Sequence, residues 1–231
     1  MKVEIWSDVV CPWCYVGKRR FEAALAAFPH RDDVEVRWRS FELDPQAPAE
    51  KVGDYAELLS AKYGFVVEQG RQMIATMTDT AAADGLSFRF DRARVGNTFD
   101  AHRLLHLAAE RGVQDAVKER FMLATFTQGA PSGAHAPLVR LAAEAGLDAD
   151  EATAVLALDR YAAEVRADQA QARAYGITGV PFFVVDCAYG VSGAQSTEVL
   201  VDVLAQAHSA ARPLQQSGQH APGCDGDACA V

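Results

Sequence analysis

The chain has 231 residues, half of them hydrophobic, enough to bury a full core without disulfide staples and compatible with one large domain or two small ones. Twenty-two Lys and Arg face 31 Asp and Glu, a formal net charge of -9 that disfavours nucleic-acid phosphate as a partner. Glu4 and Asp8 interrupt the apolar residues at the start, and no segment approaches a membrane span, so neither a secretory leader nor a membrane partner is expected.

The default address is then cytoplasmic, where thiols stay reduced, and the five cysteines point to reactivity, metal binding or plain burial rather than to a disulfide framework. In chain order, Lys2-Val3-Glu4-Ile5-Trp6 alternates like a half-buried strand. Cys11-Pro12-Trp13-Cys14 follows, where the apolar stretch of Val3, Ile5, Val9 and Val10 gives way to helical spacing, and Pro12 suits a first helical turn. Phe21, Ala24, Leu25 and Phe28 continue as a core-facing stripe that Pro29 ends. Val34, Val36 and Trp38 predict a second strand, and the opposite phase of Phe41 and Leu43 predicts a bulge or strand end near Ser40.

From about residue 54 to 175 the spacing turns helical: Tyr55, Leu58 and Leu59; Met73, Ile74, Met77 and Ala81; Leu104, Leu105 and Ala108; Val117, Phe121 and Phe126. Glycines at 64, 85, 112, 146 and 176 fall where such helices would stop, and residues 86–90 could form a short extended piece. Strand character returns over 180–185, and Tyr189 to Gly193 would complete a hairpin. A last helix should start near Ser196, with Val199, Leu200, Val203 and Leu204 facing inward. After Arg212-Pro213 the composition leaves almost nothing to bury, which predicts a flexible tail.

The strongest chemical signal is the cysteine pair. Two thiols with two intervening residues at a helix start can share one reversible disulfide. Cys11, at the positive end of the helix, should be the exposed nucleophile, and Cys14, one turn further in, the shielded resolving thiol. Pro12 stiffens the pair and Trp13 offers a flat apolar surface to a substrate, while Lys18, Arg19 and Arg20 receive no role. Two other readings stay open: half of a structural zinc site completed by Cys224 and Cys229, or two ordinary buried thiols.

Cys11-Pro12-Trp13-Cys14 is followed in order by Trp38 with Phe41-Glu42-Leu43-Asp44-Pro45, Asn97-Thr98 with Ala101-His102-Arg103, Gly179-Val180-Pro181-Phe182-Phe183, and Tyr189-Gly190-Val191-Ser192-Gly193-Ala194-Gln195. With this ordered set, over nearly its whole length, the chain resembles the DsbA-like branch of the thioredoxin superfamily. Within that branch it is similar to FrnE-type cytoplasmic dithiol oxidoreductases, relatives of 2-hydroxychromene-2-carboxylate isomerase and kappa-class glutathione transferase. The resemblance implies an α/β fold, a thioredoxin fold with a large all-helical insertion. Residues 1–50 and 165–211 would form the discontinuous thioredoxin-like domain, 51–164 the insertion, and 212–231 the tail. It also implies a cis Val180-Pro181 bond facing the dithiol, with the Val180 amide and carbonyl free to pair with an extended substrate, and an electron relay through Cys224 and Cys229.

The function so implied is thiol-disulfide exchange, with disulfide isomerisation open to it, on protein or small-molecule disulfides. A thiol such as glutathione or thioredoxin would be the reductant. No cofactor beyond the redox disulfide is expected, glutathione being a candidate co-substrate, and no metal. Two alternatives compete: a glutathione-dependent isomerase or transferase, whose relatives usually place serine where Cys11 stands, and a non-enzymatic zinc-binding thiol protein or holdase. Asn97 and His102 are candidates for the substrate groove, although a helical histidine such as His102 is expected to face solvent. Asp8 reads equally as a loop cap or a proton shuttle, and Cys187 as a buried or half-buried small side chain.

Overall fold

A computed structural model describes residues 1–51 and 53–210 of the chain, so the tail with Cys224 and Cys229, and the relay assigned to them, lie outside the described residues. Strand β1 (Lys2–Ser7) feeds helix α1 (Pro12–Ala27), which returns through a short 3-10 turn (Arg31–Asp33) to strand β2 (Glu35–Ser40). The parallel β1–β2 pair aligns Ile5 with Trp38 and ends at Ser40, where the hydrophobic phase changes. After the helical block, β3 (Phe182–Val185) and β4 (Tyr189–Ser192) form a hairpin whose first strand runs antiparallel to β1. The sheet order is therefore β2-β1-β3-β4.

The alternation of β1 is not that of a half-buried strand, because both faces are covered. On one face α1 and the last helix, α9 (Thr197–Ala210), enclose Val3, Ile5, Phe21, Phe28, Phe183 and Leu204. On the other, Trp6 and Val184 pack with Ala172 from helix α8 (Ala162–Ala174) and with Ile177 in the loop after it. Glu4 is buried here as well, tolerated because Arg39 and Lys2 ion-pair with it. Within α9, Leu200 and Leu204 are buried as expected, but Val199 faces solvent.

Between β2 and β3 lie α2 (Tyr55–Tyr63), α3 (Val67–Ala83), α4 (Phe99–Glu110), α5 (Gln114–Leu123), α6 (His135–Glu144), α7 (Ala149–Ala157) and α8. All five stop glycines have positive φ, from 70° at Gly112 to 103° at Gly146, a region that side chains with a Cβ disfavour. Residues 86–90 join no sheet: the Arg89 amide bonds to the Phe126 carbonyl at 2.7 Å, and Phe88 and Phe90 pack with Phe126.

Several polar contacts fix the helical block to strand β2 of the sheet. The Gln114 side chain accepts from the Trp38 amide and donates to the Trp38 carbonyl, both at 3.0 Å, so it satisfies the open edge of β2 as a neighbouring strand would. Asp115 accepts from the Trp38 indole at 3.0 Å. Helix α5 is thereby held against the sheet, and its next turn carries Lys118 into the space behind the dithiol.

Candidate active site

Cys11 is the residue before α1, in an extended conformation, and its carbonyl accepts from the Cys14 amide at 3.0 Å and the Tyr15 amide at 3.4 Å. The Cys11 amide in turn donates to the Asp8 carbonyl at 3.2 Å, closing a tight turn before the helix. Pro12 occupies the first helical position, where no backbone donor is lost.

Facing this turn, the Val180-Pro181 bond is cis, and the Cys11 thiol donates to the Val180 carbonyl with Sγ 3.6 Å from the oxygen. Gly17, on α1, permits the approach: a Cβ there would lie 2.8 Å from Pro181 Cγ. The Val180 carbonyl is therefore not free, as the resemblance implied, but engaged by the thiol. The Val180 amide has no partner among the described residues.

The two sulfurs differ in surroundings. Cys14 is fully buried, and Cys11, expected to be open, is only 4% exposed because the Val180 segment lies over it. Cys11 nevertheless lines a groove of about 490 Å³, together with Pro12, Trp13, Val180, Tyr55, Leu58, Met73 and Met77, with Lys51 and Lys62 also in its wall. Trp13 is exposed, as a substrate platform should be. Cys14 takes no part in the groove. A larger cavity of about 640 Å³ lies against β2 near Trp38 and Tyr161 and touches neither cysteine.

Behind Cys14 is a buried polar cluster. Asp8 accepts from the Leu43 amide at 2.8 Å, and its other oxygen lies 3.4 Å from His102 Nε2. Lys118 is completely buried, with its ammonium 3.4 Å from the Ser7 carbonyl and over the Trp38 ring. Burial pushes the Cys14 thiol well up, as does its contact with Cys11, and the Lys118 charge pulls it back only in part. Burial lowers Lys118 to about 8, opposed by the charges of Cys14, Asp8 and Cys11. Asp8 is raised by burial, but His102, the Leu43 amide and Lys118 together outweigh this and leave it lowered. Ser7 Oγ, one Asp8 oxygen and both His102 nitrogens have no hydrogen-bond partner among the described residues, and Asp8 and His102 face one another at 3.4 Å without one.

Several expectations change. His102 does not face solvent and does not line the groove; it is buried because its helix, α4, packs its whole length into the core. Asn97 is also outside the groove: its side chain accepts from the Phe99 amide at 3.0 Å and donates to the Pro45 carbonyl at 3.2 Å. Gly96 and Thr98, on either side of it, are the groove residues. Cys187 is exposed, since it sits at φ 55° in the three-residue turn (186–188) joining β3 and β4. Lys18 is buried among Glu22, Asp115 and Glu119, the last two at 3.1 and 3.2 Å. Lys118 carries little signal in the sequence beyond a lysine within one turn of the buried Phe121 and Met122.

Residues 2–205 match the DSBA-like thioredoxin domain family, and the chain belongs to it. A probable DsbA oxidoreductase from Streptomyces coelicolor, of solved structure, is 52% identical, with a TM-score of 0.88 over 100% of this chain and 99% of that one. YwbO of Bacillus subtilis is 29% identical over 189 residues, 79% of this chain and 86% of its own. The cytosolic disulfide reductase DsbM from Pseudomonas aeruginosa, solved with GSH, shares the fold at 17% identity and a TM-score of 0.63, over 90% of this chain and 100% of that one.

Proposed function

We propose that this member of the family is a cytoplasmic thiol-disulfide oxidoreductase in which Cys11 attacks and Cys14 resolves. The observation that carries the reading is the asymmetry of the pair: one sulfur in the wall of a groove beside Val180, the other sealed behind it. A substrate disulfide enters along Trp13, and an extended peptide pairs with the free Val180 amide, so the backbone is held with little side-chain selection.

The Cys11 thiolate attacks one substrate sulfur, forming a mixed disulfide and releasing the other as thiolate. Cys14 then attacks the Cys11 sulfur, closing the Cys11–Cys14 disulfide and releasing the second substrate thiolate. Two electrons have passed to the substrate, and its thiolates take protons from solvent. For this second step Cys14 must lose a proton in a place that disfavours its anion, and the charge of Lys118 behind it reduces that cost. A thiol such as glutathione or thioredoxin returns the enzyme to the dithiol, and isomerisation follows when the first substrate thiolate attacks elsewhere in its own chain. In the relay reading, Cys224 or Cys229 attacks the active-site disulfide and leaves a disulfide in the tail.

The test is insulin reduction and scrambled-ribonuclease refolding, with wild type and Cys11→Ser side by side. The expected result is loss of both activities in the variant; retained activity would remove Cys11 as nucleophile. Replacing Cys224 and Cys229 by Ser should slow re-reduction of the Cys11–Cys14 disulfide and turnover, and unchanged rates would remove the relay.

A further inference from the structure

At the opposite end of α1 from the dithiol, three ligand-type side chains converge from two distant parts of the chain. His30 precedes the 3-10 turn, Asp33 closes it, and His208 lies in the last turn of α9. Their donor atoms all lie within 4.8 Å of one another, with His30 Nδ1 4.0 Å from an Asp33 oxygen. The two imidazoles stack with centroids 3.9 Å apart and planes 10° from parallel.

This meeting is built from below. Phe28, itself buried, packs edge-on against both rings at 5.8 and 5.9 Å, so both imidazoles rest on one aromatic floor. The turn is held by the Asp33 amide bonding to the His30 carbonyl at 3.1 Å, and by the terminal amine of Met1 donating to the Asp33 carbonyl at 2.9 Å. Asp33 and His30 are exposed and His208 half-buried, so the donors are open to an ion from solvent.

We infer that His30, Asp33 and His208 form a binding site for one divalent transition-metal ion of the zinc kind. Two imidazole nitrogens and one carboxylate suit zinc, with water completing the tetrahedron. Ligands at about 2.0–2.1 Å in that geometry stand roughly 3.3 Å apart, so the donors must close by about 1 Å. One ring tilts out of the stack as they do so, because a metal lies in the plane of each imidazole that binds it. The bound ion ties the last turn of α9 to the connection between α1 and β2. A helix of 16 residues is about 24 Å long, so the ion sits far from Cys11 and leaves exchange chemistry untouched.

The experiment uses the full chain with its metals first removed by chelation, titrated with Co²⁺ and Zn²⁺. One equivalent of Co²⁺ should bind without a thiolate-to-metal absorption band, and saturating Zn²⁺ should raise the melting temperature by about 5 °C. His30→Gln and His208→Gln should each weaken binding at least about tenfold while keeping the metal-free melting temperature and insulin-reduction rate of wild type. Cys224→Ser/Cys229→Ser should bind as wild type does. A thiolate band, binding lost with the tail cysteines, wild-type affinity in either histidine variant, or no uptake would each overturn the site. None of these results bears on Cys11, so the oxidoreductase reading stands or falls separately.

Discussion

One turn of α1 separates two cysteines that the fold treats in opposite ways. Cys11 faces a groove lined largely by apolar residues of the loops and of α2 and α3, and its thiol donates to the Val180 carbonyl. Cys14 faces inward to a cluster of charges that it shares with α4 and α5. The groove side selects what approaches; the buried side governs how readily the second thiol ionises. The helical block contributes to both, with α2 and α3 walling the groove while His102 and Lys118 come from α4 and α5.

The comparison breaks most visibly when each sulfur is removed in turn. Cys14→Ser should still attack substrate but hold it, so a mixed disulfide at Cys11 accumulates and steady-state turnover falls to background. Intact-protein mass spectrometry reads the adduct; the same adduct on Cys11→Ser, or none on Cys14→Ser, would reverse the assigned roles. Next in size is Asp8→Ala. It leaves the Leu43 amide without its acceptor and Lys118 with one fewer negative charge nearby, and should cost roughly 1–3 kcal/mol in denaturant unfolding, whereas truncating an exposed groove residue should cost well under 1 kcal/mol.

The charge on Lys118 makes the buried side visible in pH as well. Folded Lys118 releases its proton near pH 8, whereas an unfolded lysine holds it to about 10.4. Below pH 8 both states are protonated and the folded protein bears the whole cost of burying the charge. Between these values the unfolded chain binds more protons, so stability rises with pH. From pH 7.5 to 9.5 this group alone should add about 2 kcal/mol, and at least as much in the oxidised protein, which lacks the cysteine charges that hold Lys118 up. In the reduced protein Cys14 acts in the other direction, because its raised folded value keeps a proton that the unfolded thiol has lost. Urea unfolding of both redox forms at the two pH values tests this; an equal or larger gain in the reduced form would contradict it. In kinetics, Lys118→Met should slow resolution of the mixed disulfide at least about tenfold and leave its formation near the wild-type rate.

The groove side was far more legible in the sequence than the buried side, for a physical reason. Pro12 at a helix start, Cys14 one turn on, the stop glycines and the turn before Tyr189 are local signals, complete within a few residues. Lys118 and His102 acquire meaning only against Asp8 and Cys14, about a hundred residues earlier, and no spacing rule spans that distance. Lys18 has one local partner, Glu22, but its other carboxylates, Asp115 and Glu119, come from α5. Asn97 and His102 were placed in the groove by the resemblance alone. The structure puts Gly96 and Thr98, the neighbours of Asn97, there and buries His102 in α4, which shows how a motif can mark the right loop and the wrong side chains.

The smallest effect should come from Trp13, the most exposed part of the dithiol segment. Its ring rests on solvent and groove rather than on core, so Trp13→Ala should change unfolding free energy by less than about 0.5 kcal/mol. What it removes is a flat apolar surface beside Cys11, whose contact with an incoming peptide is worth about 1 kcal/mol. KM for a peptide disulfide should therefore rise by roughly fivefold, with kcat and the rate of Cys14 resolution preserved. A small disulfide too short to reach the ring should show no change in KM. Equal losses for both substrates would mean that Trp13 acts through the position of Cys11, and would shift its role from the groove to the geometry of the turn.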